Sequence, residues 1–305
     1  MTRMSVVFLG TSGGMPSKFR GMPSVGVKFS GSLILFDCGE GTCRQIVSAG
    51  LGFPTDFRVF LSHLHADHTL GLPGLIYTMS LLGREDPLHV YGPEGTRESV
   101  EYLLEGSRGE VGFEVAIHEI RRGVVYEERD FSIEAELGDH TVLNLCYKLR
   151  ERDRPGKLDV DRLMALGVPQ GPLWGTLQRG EPVIVGGRRI DPEGVVGPRR
   201  PGRVVIYTGD TRACRTVIDF CRGADLLIHD STFGEDMKRK AVEDGHSTAG
   251  EAAYVAREAG VRRLYLTHIS PRYEGREGEL LTEARATFAN SSIARDLEWV
   301  DVDYP

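Results

Sequence analysis

Apolar runs short enough to be single strands recur along this chain, and several lead into longer stretches where apolar residues return every three or four positions. Such a pattern predicts strands and helices in succession. Residues 5–10, 25–29 and 32–37 read as strands separated by glycine, and 41–49 as a short helix. A strand at 56–62 leads through a polar loop to a helix at 70–82, and a strand at 88–91 to a helix at 95–105. Runs at 114–120, 124–129 and 131–137 predict a meander, with 144–149 after it. The pattern then lapses and returns as strands at 203–210, 224–230, 263–269 and 297–302, with helices after residue 210, at 247–259 and at 280–289. Thr248 and Glu251 have the spacing of a capping box at the start of the 247–259 helix. No internal repeat is visible, and the alternation predicts an α/β layered fold.

The lapse at 151–202 is rich in Pro, Gly and Arg. It is far longer than the ~4–6 residues of an ordinary connection, which predicts an arm inserted into one domain spanning 1–305. Prolines from Pro155 to Pro201 stiffen it locally, and its glycines let it bend. From Arg150 to Arg203 there are 11 basic and 7 acidic residues, a balance of +4, against −11 for the rest of a chain whose formal charge is −7. Charge alone leaves two readings open, a polyanion contact and an unevenly charged solvated surface. Arg150, Arg152, Arg154, Lys157 and Arg162 are the residues that would meet phosphates. No run approaches the ~20 apolar residues of a membrane span, and the first strand begins without a signal-peptide core. A cytoplasmic protein with no membrane association is expected. The five cysteines, at 38, 43, 146, 214 and 221, form no CxxC pair and read as reduced, mostly buried thiols without a metal role.

The densest chemistry lies in Ser62-His63-Leu64-His65-Ala66-Asp67-His68, directly after the apolar run 57–61. On an extended strand end His63 and His65 point to one side, while Asp67 and His68 follow on a turn. That geometry suits two cations: His63 and His65 converge on one, Asp67 and His68 face a second. Other ligand types also sit at the ends of apolar runs: His140, Asp210, His229 with Asp230, and His268. Ligands at several strand ends build a rigid site along one edge of a layered fold. Zinc accepts imidazole and carboxylate, and a pair of ions ~3.5–4 Å apart clamps the attacking and leaving oxygens of a phosphoester. A bridging carboxylate is then needed, and Asp210 is the candidate. His89 and His118 lack such surroundings and read as structural.

On these residues the chain resembles the metallo-β-lactamase superfamily and, within it, the ribonuclease Z family, endonucleases that trim the 3′ trailer from precursor tRNA. The likeness includes Phe8-Leu9-Gly10-Thr11, Phe36-Asp37-Cys38-Gly39-Glu40-Gly41, Gly71-Leu72-Pro73-Gly74-Leu75, His246-Ser247-Thr248, and Leu266-Thr267-His268-Ile269-Ser270 with Arg272-Tyr273. Gly167-Val168-Pro169-Gln170-Gly171-Pro172-Leu173-Trp174 is more specific and resembles the exosite arm by which the family grips the tRNA body.

The resemblance implies a four-layer αββα sandwich with the 151–202 arm as a substrate-binding insertion. It implies two Zn2+ per chain, with Mn2+ as the alternative ion: His63, His65 and His140 on one, Asp67, His68 and His268 on the other, and Asp210 between. Asp67 would also take the proton of the attacking water, and His246, oriented by Asp230, would protonate the leaving group. The tRNA would keep a 3′-hydroxyl and the trailer a 5′-phosphate. Lys18, Arg20, Gly171, Pro172 and Arg272 would contact the RNA, and a homodimer is implied in which one subunit's arm serves the other's site. Two departures stand out. Pro16-Ser17-Lys18-Phe19-Arg20-Gly21 has Gly21 where the family loop has Asn, and His229-Asp230-Ser231-Thr232-Phe233 has a shorter acid at 230. The alternative reading keeps fold and metals but takes small phosphodiesters or thioesters as substrate. A third is a non-catalytic RNA-binding scaffold, against which the full ligand set argues.

Overall fold

In the computed structural model, which describes residues 2–107 and 109–304, residue-by-residue alternation in the strands of the two large sheets feeds three cores. The two ends of the expected 1–305 span, Met1 and Pro305, lie outside the described residues. Strand β1 (Met4–Gly10) shows the principle: all seven residues are buried. Met4, Val6 and Phe8 enter a core shared with the second sheet, and Val7 and Leu9 a core on the other side. A strand covered on both faces therefore reads as a continuous apolar run.

The first sheet continues with β2 (Ser24–Phe29), β3 (Ser32–Phe36), β4 (Phe57–Phe60), β5 (Leu88–Gly92) and β6 (Val115–Glu119). Then come β7 (Gly123–Glu127), β8 (Phe131–Leu137), β9 (Leu145–Glu151), the hairpin β10 (Val183–Val185) and β11 (Arg188–Ile190), and β12 (Val204–Tyr207). β13 (Leu226–Asp230), β14 (Leu264–Thr267), β15 (Ser291–Ile293) and β16 (Trp299–Asp301) complete the set. One seven-stranded sheet has the order β16-β1-β2-β3-β4-β5-β6 and the other β15-β14-β13-β12-β9-β8-β7. The core between them holds Phe36, which stacks on Tyr147 and Tyr207 with ring centroids 5.6 and 5.7 Å apart. Such aromatic pairs contribute ~0.5–1.5 kcal/mol each beyond area burial. The outer face of the first sheet packs Leu72, Leu75, Ile76 and Met79 of helix Leu72–Leu81. That of the second packs the buried alanines of helix Ala249–Ala259, whose small side chains bring the helix close. This is the αββα sandwich, and the Thr248–Glu251 capping box starts its helix as expected.

Three local expectations are corrected. The runs at 114–120, 124–129 and 131–137 do not form one meander: β6 pairs in parallel with β5, while β7 pairs with β8 in the other sheet. Parallel pairing of β5 with β6 is made by the crossover helix Thr96–Ser107, so the chain changes sheets at β6. Asp67 and His68 stand on a one-turn helix, Ala66–Thr69. Helix Lys238–Asp244 and strand β15 were not expected from the pattern.

By compactness the chain divides into two units, one formed by residues up to Arg150 with Val204–Tyr304, the other by Glu151–Arg203. The second unit has helices Val160–Ala165 and Pro172–Gln178, the β10–β11 hairpin, and its own core of Leu163, Val168, Leu177, Val183, Ile190 and Val195. Arg203 Nε donates to Glu151 Oε2 at 2.7 Å and Nη2 to Oε1 at 3.0 Å, a buried bidentate pair where the unit begins and ends. Elements this short carry too few residues to reveal a period.

Candidate metal centre

β4 delivers His63 and His65 just past its end, the one-turn helix delivers Asp67 and His68, and β8, β12 and β14 end shortly before His140, Asp210 and His268. These seven side chains come together. His63 Nε2 lies 3.0 Å from His65 Nδ1, which lies 3.4 Å from His140 Nε2. Asp67 Oδ2 is 3.6 Å from His68 Nε2 and 3.4 Å from His268 Nε2. Between the groups, Asp210 Oδ2 is 3.3 Å from both His68 Nε2 and His268 Nε2 and 3.6 Å from His63 Nε2.

The surrounding hydrogen bonds fix which nitrogen each ring presents. His140 Nδ1 donates to the Gly245 carbonyl at 2.7 Å, and His68 Nδ1 to Asp37 Oδ2 at 2.6 Å. Ser62 Oγ donates to Asp37 Oδ2 at 2.7 Å, so it accepts from His63 Nδ1 at 3.0 Å. Thr232 Oγ1 donates to Asp230 Oδ1 at 2.7 Å, so it accepts from His268 Nδ1 at 2.7 Å. Four rings thus turn Nε2 lone pairs inward, the orientation metal-ligating histidines receive from their outer partners.

Imidazole nitrogens 3.0–3.4 Å apart, with a buried Asp210 Oδ1 that has no hydrogen-bond partner among the described residues, make a site with more acceptors than donors. Divalent cations supply what it lacks, and the donor set of imidazole and carboxylate fits them. The charges agree. Burial, above all, pulls the His63 imidazole well below its ordinary pKa and lowers that of His140, keeping both neutral. Burial works against the Asp67 and Asp210 carboxylates, yet His268 and His68 outweigh it and hold both well below the usual carboxylate range.

Beside this group, His246 Nδ1 donates to Asp230 Oδ2 at 2.9 Å. The shorter acid therefore reaches. Asp230 is itself fixed by the backbone N–H groups of Thr211 and Thr232 at 3.1 and 3.0 Å. Burial opposes a charge on His246, but Asp230 overcomes it and the ring is pushed up to about 9. Its neighbour His229 has the opposite fate. It is fully buried, donates Nδ1 to the Asp230 carbonyl at 2.7 Å and has no partner for Nε2 among the described residues, and burial lowers its pKa. The unfolded chain then takes up protons below its ordinary value of ~6.5 that the fold refuses, so this contribution to stability is complete above pH ~6.5 and is lost on acidification toward the folded value. Between pH 7.5 and 5.5 the urea midpoint is expected to fall less in His229→Gln than in the parent.

Asp37 is a candidate site residue that the sequence pattern does not single out. It takes Ser62 N, Ser62 Oγ, His68 Nδ1 and Tyr207 OH at 2.6–2.7 Å, and so orients two candidate ligands. Its φ of 58° and the φ of 60° at His268 put two non-glycine residues in the left-handed region at one site, where local strain of ~1–3 kcal/mol is held by the packing around it. A signal did exist, an acid at the end of an apolar strand, like Asp210. Gly13 explains how the loop approaches: a Cβ there would meet His268 Nδ1 at 2.6 Å, and the next residue's N–H donates to Asp67 Oδ2 at 3.1 Å.

The expected RNA-contact residues differ in placement. Lys18 and Arg272 are exposed. Arg20 is buried, with Nη1 donating to Thr11 Oγ1 at 2.6 Å and to the Ala294 carbonyl at 2.7 Å, so its guanidinium braces its own loop instead of facing solvent. Gly171 and Pro172 form the exposed start of helix Pro172–Gln178 in the second unit. His89 and His118 pair with each other at 3.0 Å and belong to none of the ligand groups.

Two mixed sheets flanked by helices, with histidines and aspartates gathered at their strand ends, define a metallo-β-lactamase fold. Residues 180–269 match the family model described as beta-lactamase superfamily domain, and residues 4–139 that of the anti-Pycsar protein Apyc1. The fold is shared with the metallo-beta-lactamase fold protein YhfI of Bacillus subtilis (TM-score 0.69, 20% identity, covering 99% of this chain and 100% of that one). The human short-form tRNase Z, ELAC1, superposes with a TM-score of 0.69 at 25% identity, covering 98% of this chain and 99% of that one. The ribonuclease Z of Methanosarcina mazei is 46% identical over 99% of both chains, and that of Methanothermobacter thermautotrophicus 47% identical over 98% of this chain and 97% of its own. The chain belongs to the ribonuclease Z family, and is an enzyme of the endoribonuclease class.

Proposed function

We propose that this chain is a zinc-dependent endoribonuclease that removes the 3′ trailer from precursor tRNA, leaving a 3′-hydroxyl on the tRNA and a 5′-phosphate on the trailer. The observation that carries the proposal is Asp210, a buried carboxylate between two groups of converging imidazoles in a chain nearly half identical to curated ribonucleases Z. His63, His65 and His140 would hold one cation and Asp67, His68 and His268 the other, with Asp210 available to both. When bound, such a pair makes a water acidic enough to attack near neutral pH and neutralises charge on the phosphate. Asp67, kept ionised by its histidines and fixed by the Gly14 N–H, accepts the proton of the attacking water. His246, held by Asp230, gives a proton to the departing 3′ oxygen. Asp37, Ser62, Thr232 and Gly245 hold the ring orientations.

Lys18 and Arg272 meet phosphates near the cut, while the arm, including Gly171 and Pro172, grips the tRNA body and serves the partner subunit of a homodimer. A cytoplasmic enzyme follows from that substrate, and no helix among the described residues is long and apolar enough to cross a membrane.

The test is cleavage of an end-labelled precursor tRNA with and without chelator, across a salt series. Cleavage is expected to stop with chelator, return with zinc, and weaken by orders of magnitude between about 50 and 200 mM salt, as for a polyanion held through several phosphates. No cleavage of tRNA, with a salt-insensitive rate on bis(p-nitrophenyl) phosphate, would replace this reading by that of a small-ester hydrolase.

A further inference from the structure

A concavity of about 740 Å³ opens beside the loop that reaches the metal centre, and none of the seven candidate ligands lines it. Its size falls in the ~300–1,000 Å³ range of ligand pockets. The loop joins the two places. At its start the Gly13 N–H donates to the Ile269 carbonyl at 3.1 Å and the Gly14 N–H to Asp67. At its end Phe19 and Arg20 enter the wall of the concavity.

Most charged groups there are already engaged. Arg20 is held by Thr11, Ala294 and Glu277, and Asp296 accepts from Thr11 Oγ1 and the Gly21 N–H, both at 2.7 Å. Glu298 accepts from the Arg295 N–H at 3.1 Å, and Arg285 Nε donates to the Ser291 carbonyl at 3.1 Å. What stays uncommitted is different in kind. The Phe19 ring is 67% exposed, with Lys18 Nζ 5.0 Å from its centroid. The exposed Arg295 guanidinium makes no hydrogen bond or ion pair to any described residue. A solvent-exposed ring with an ammonium 5.0 Å from its centroid, in the wall of a concavity that also holds an uncommitted guanidinium, is the chemistry of a single-strand platform: the ring takes a base face, which every nucleotide offers, and the cations follow the phosphates.

We propose that this concavity is a subsite for an unpaired nucleotide of the 3′ trailer, stacked on Phe19 with its phosphate toward Lys18 and Arg295. The proposal deepens the tRNA-cleavage reading and rests on it. The trailer is chosen over the acceptor stem because its bases are unpaired, whereas those of the stem are stacked and paired within the duplex.

The test uses the full chain in two assays. In the first, binding of 5′-fluorescein-labelled hexauridylate is followed by anisotropy. Phe19→Ala is expected to weaken it by about 5- to 150-fold, the span of one base–aromatic stack, and Phe19→Trp to restore it. Arg295→Ala is expected to lower the salt slope. In the second, precursor tRNAs carrying a trailer of one nucleotide or of about ten are cleaved. Phe19→Ala is expected to raise KM for the long trailer by a similar factor, with kcat unchanged and the short trailer nearly unaffected. Equal oligonucleotide binding by parent and Phe19→Ala, or an equal KM rise for both trailers, overturns the subsite. Phe19-dependent binding by a protein that cleaves neither precursor keeps the subsite and removes the cleavage reading.

Discussion

Asp210→Ala is expected to lower kcat on precursor tRNA by about 10³-fold or more, since activation by the cation pair is worth several kcal/mol and each 1.36 kcal/mol is a factor of ten. The reason is position. Asp210 Oδ2 lies 3.3–3.6 Å from imidazoles of both groups, so on the two-cation reading its loss would remove charge from both positions at once. Oδ1 has no hydrogen-bond partner among the described residues, so the carboxylate keeps an oxygen free for a cation. Two measurements separate this from simple misfolding. In chelator the variant is expected to unfold in one cooperative transition but below the parent, because alanine lacks the attraction to His68 and His268 that holds the Asp210 carboxylate ionised. With zinc added, the parent midpoint rises, as for any ligand that binds only the folded state, and the variant midpoint stays. A variant that keeps two zinc ions per chain and full activity would remove Asp210 from the centre.

How much of this was legible in sequence depends on the span over which each signal acts. β1, β3 and β13 are buried on both faces, so their unbroken apolar runs named them at once. His63 to His68 was legible because one strand end and one helical turn supply most of the ligands. Periodicity tells which face of a strand is buried but not which sheet it joins, so it groups the run at 114–120 with the two after it, whereas that run pairs with β5 in the other sheet. Asp37 needs His68, Ser62 and Tyr207 to be seen together, and these come from two segments, 62–68 and the end of β12, both distant from it in sequence. Arg20 looked like a surface cation on charge alone. Its partners, Thr11 and Ala294, appear only when the two ends of the body meet.

The Asp230–His246 pair makes a second prediction that turns on the leaving group. His246→Ala is expected to lower kcat on precursor tRNA by ~10²–10⁴-fold, the range of a general acid, while zinc content stays at the parent level. The same variant is expected to keep most of its rate on bis(p-nitrophenyl) phosphate. A nitrophenolate departs as a stable anion, whereas a ribose 3′ oxygen departs poorly without a proton. Asp230→Asn keeps the shape of the acid but removes the charge that offsets burial of His246 and pushes its ring up to about 9. With the charge gone the folded pKa of His246 falls, the protonated form is lost at lower pH, and the alkaline limb of the tRNA profile is expected to move toward acid. A merely structural pair would lower both substrates' rates together and leave that limb where it was. The leaving-group contrast together with the displaced limb would assign proton donation to His246, with Asp230 setting its charge.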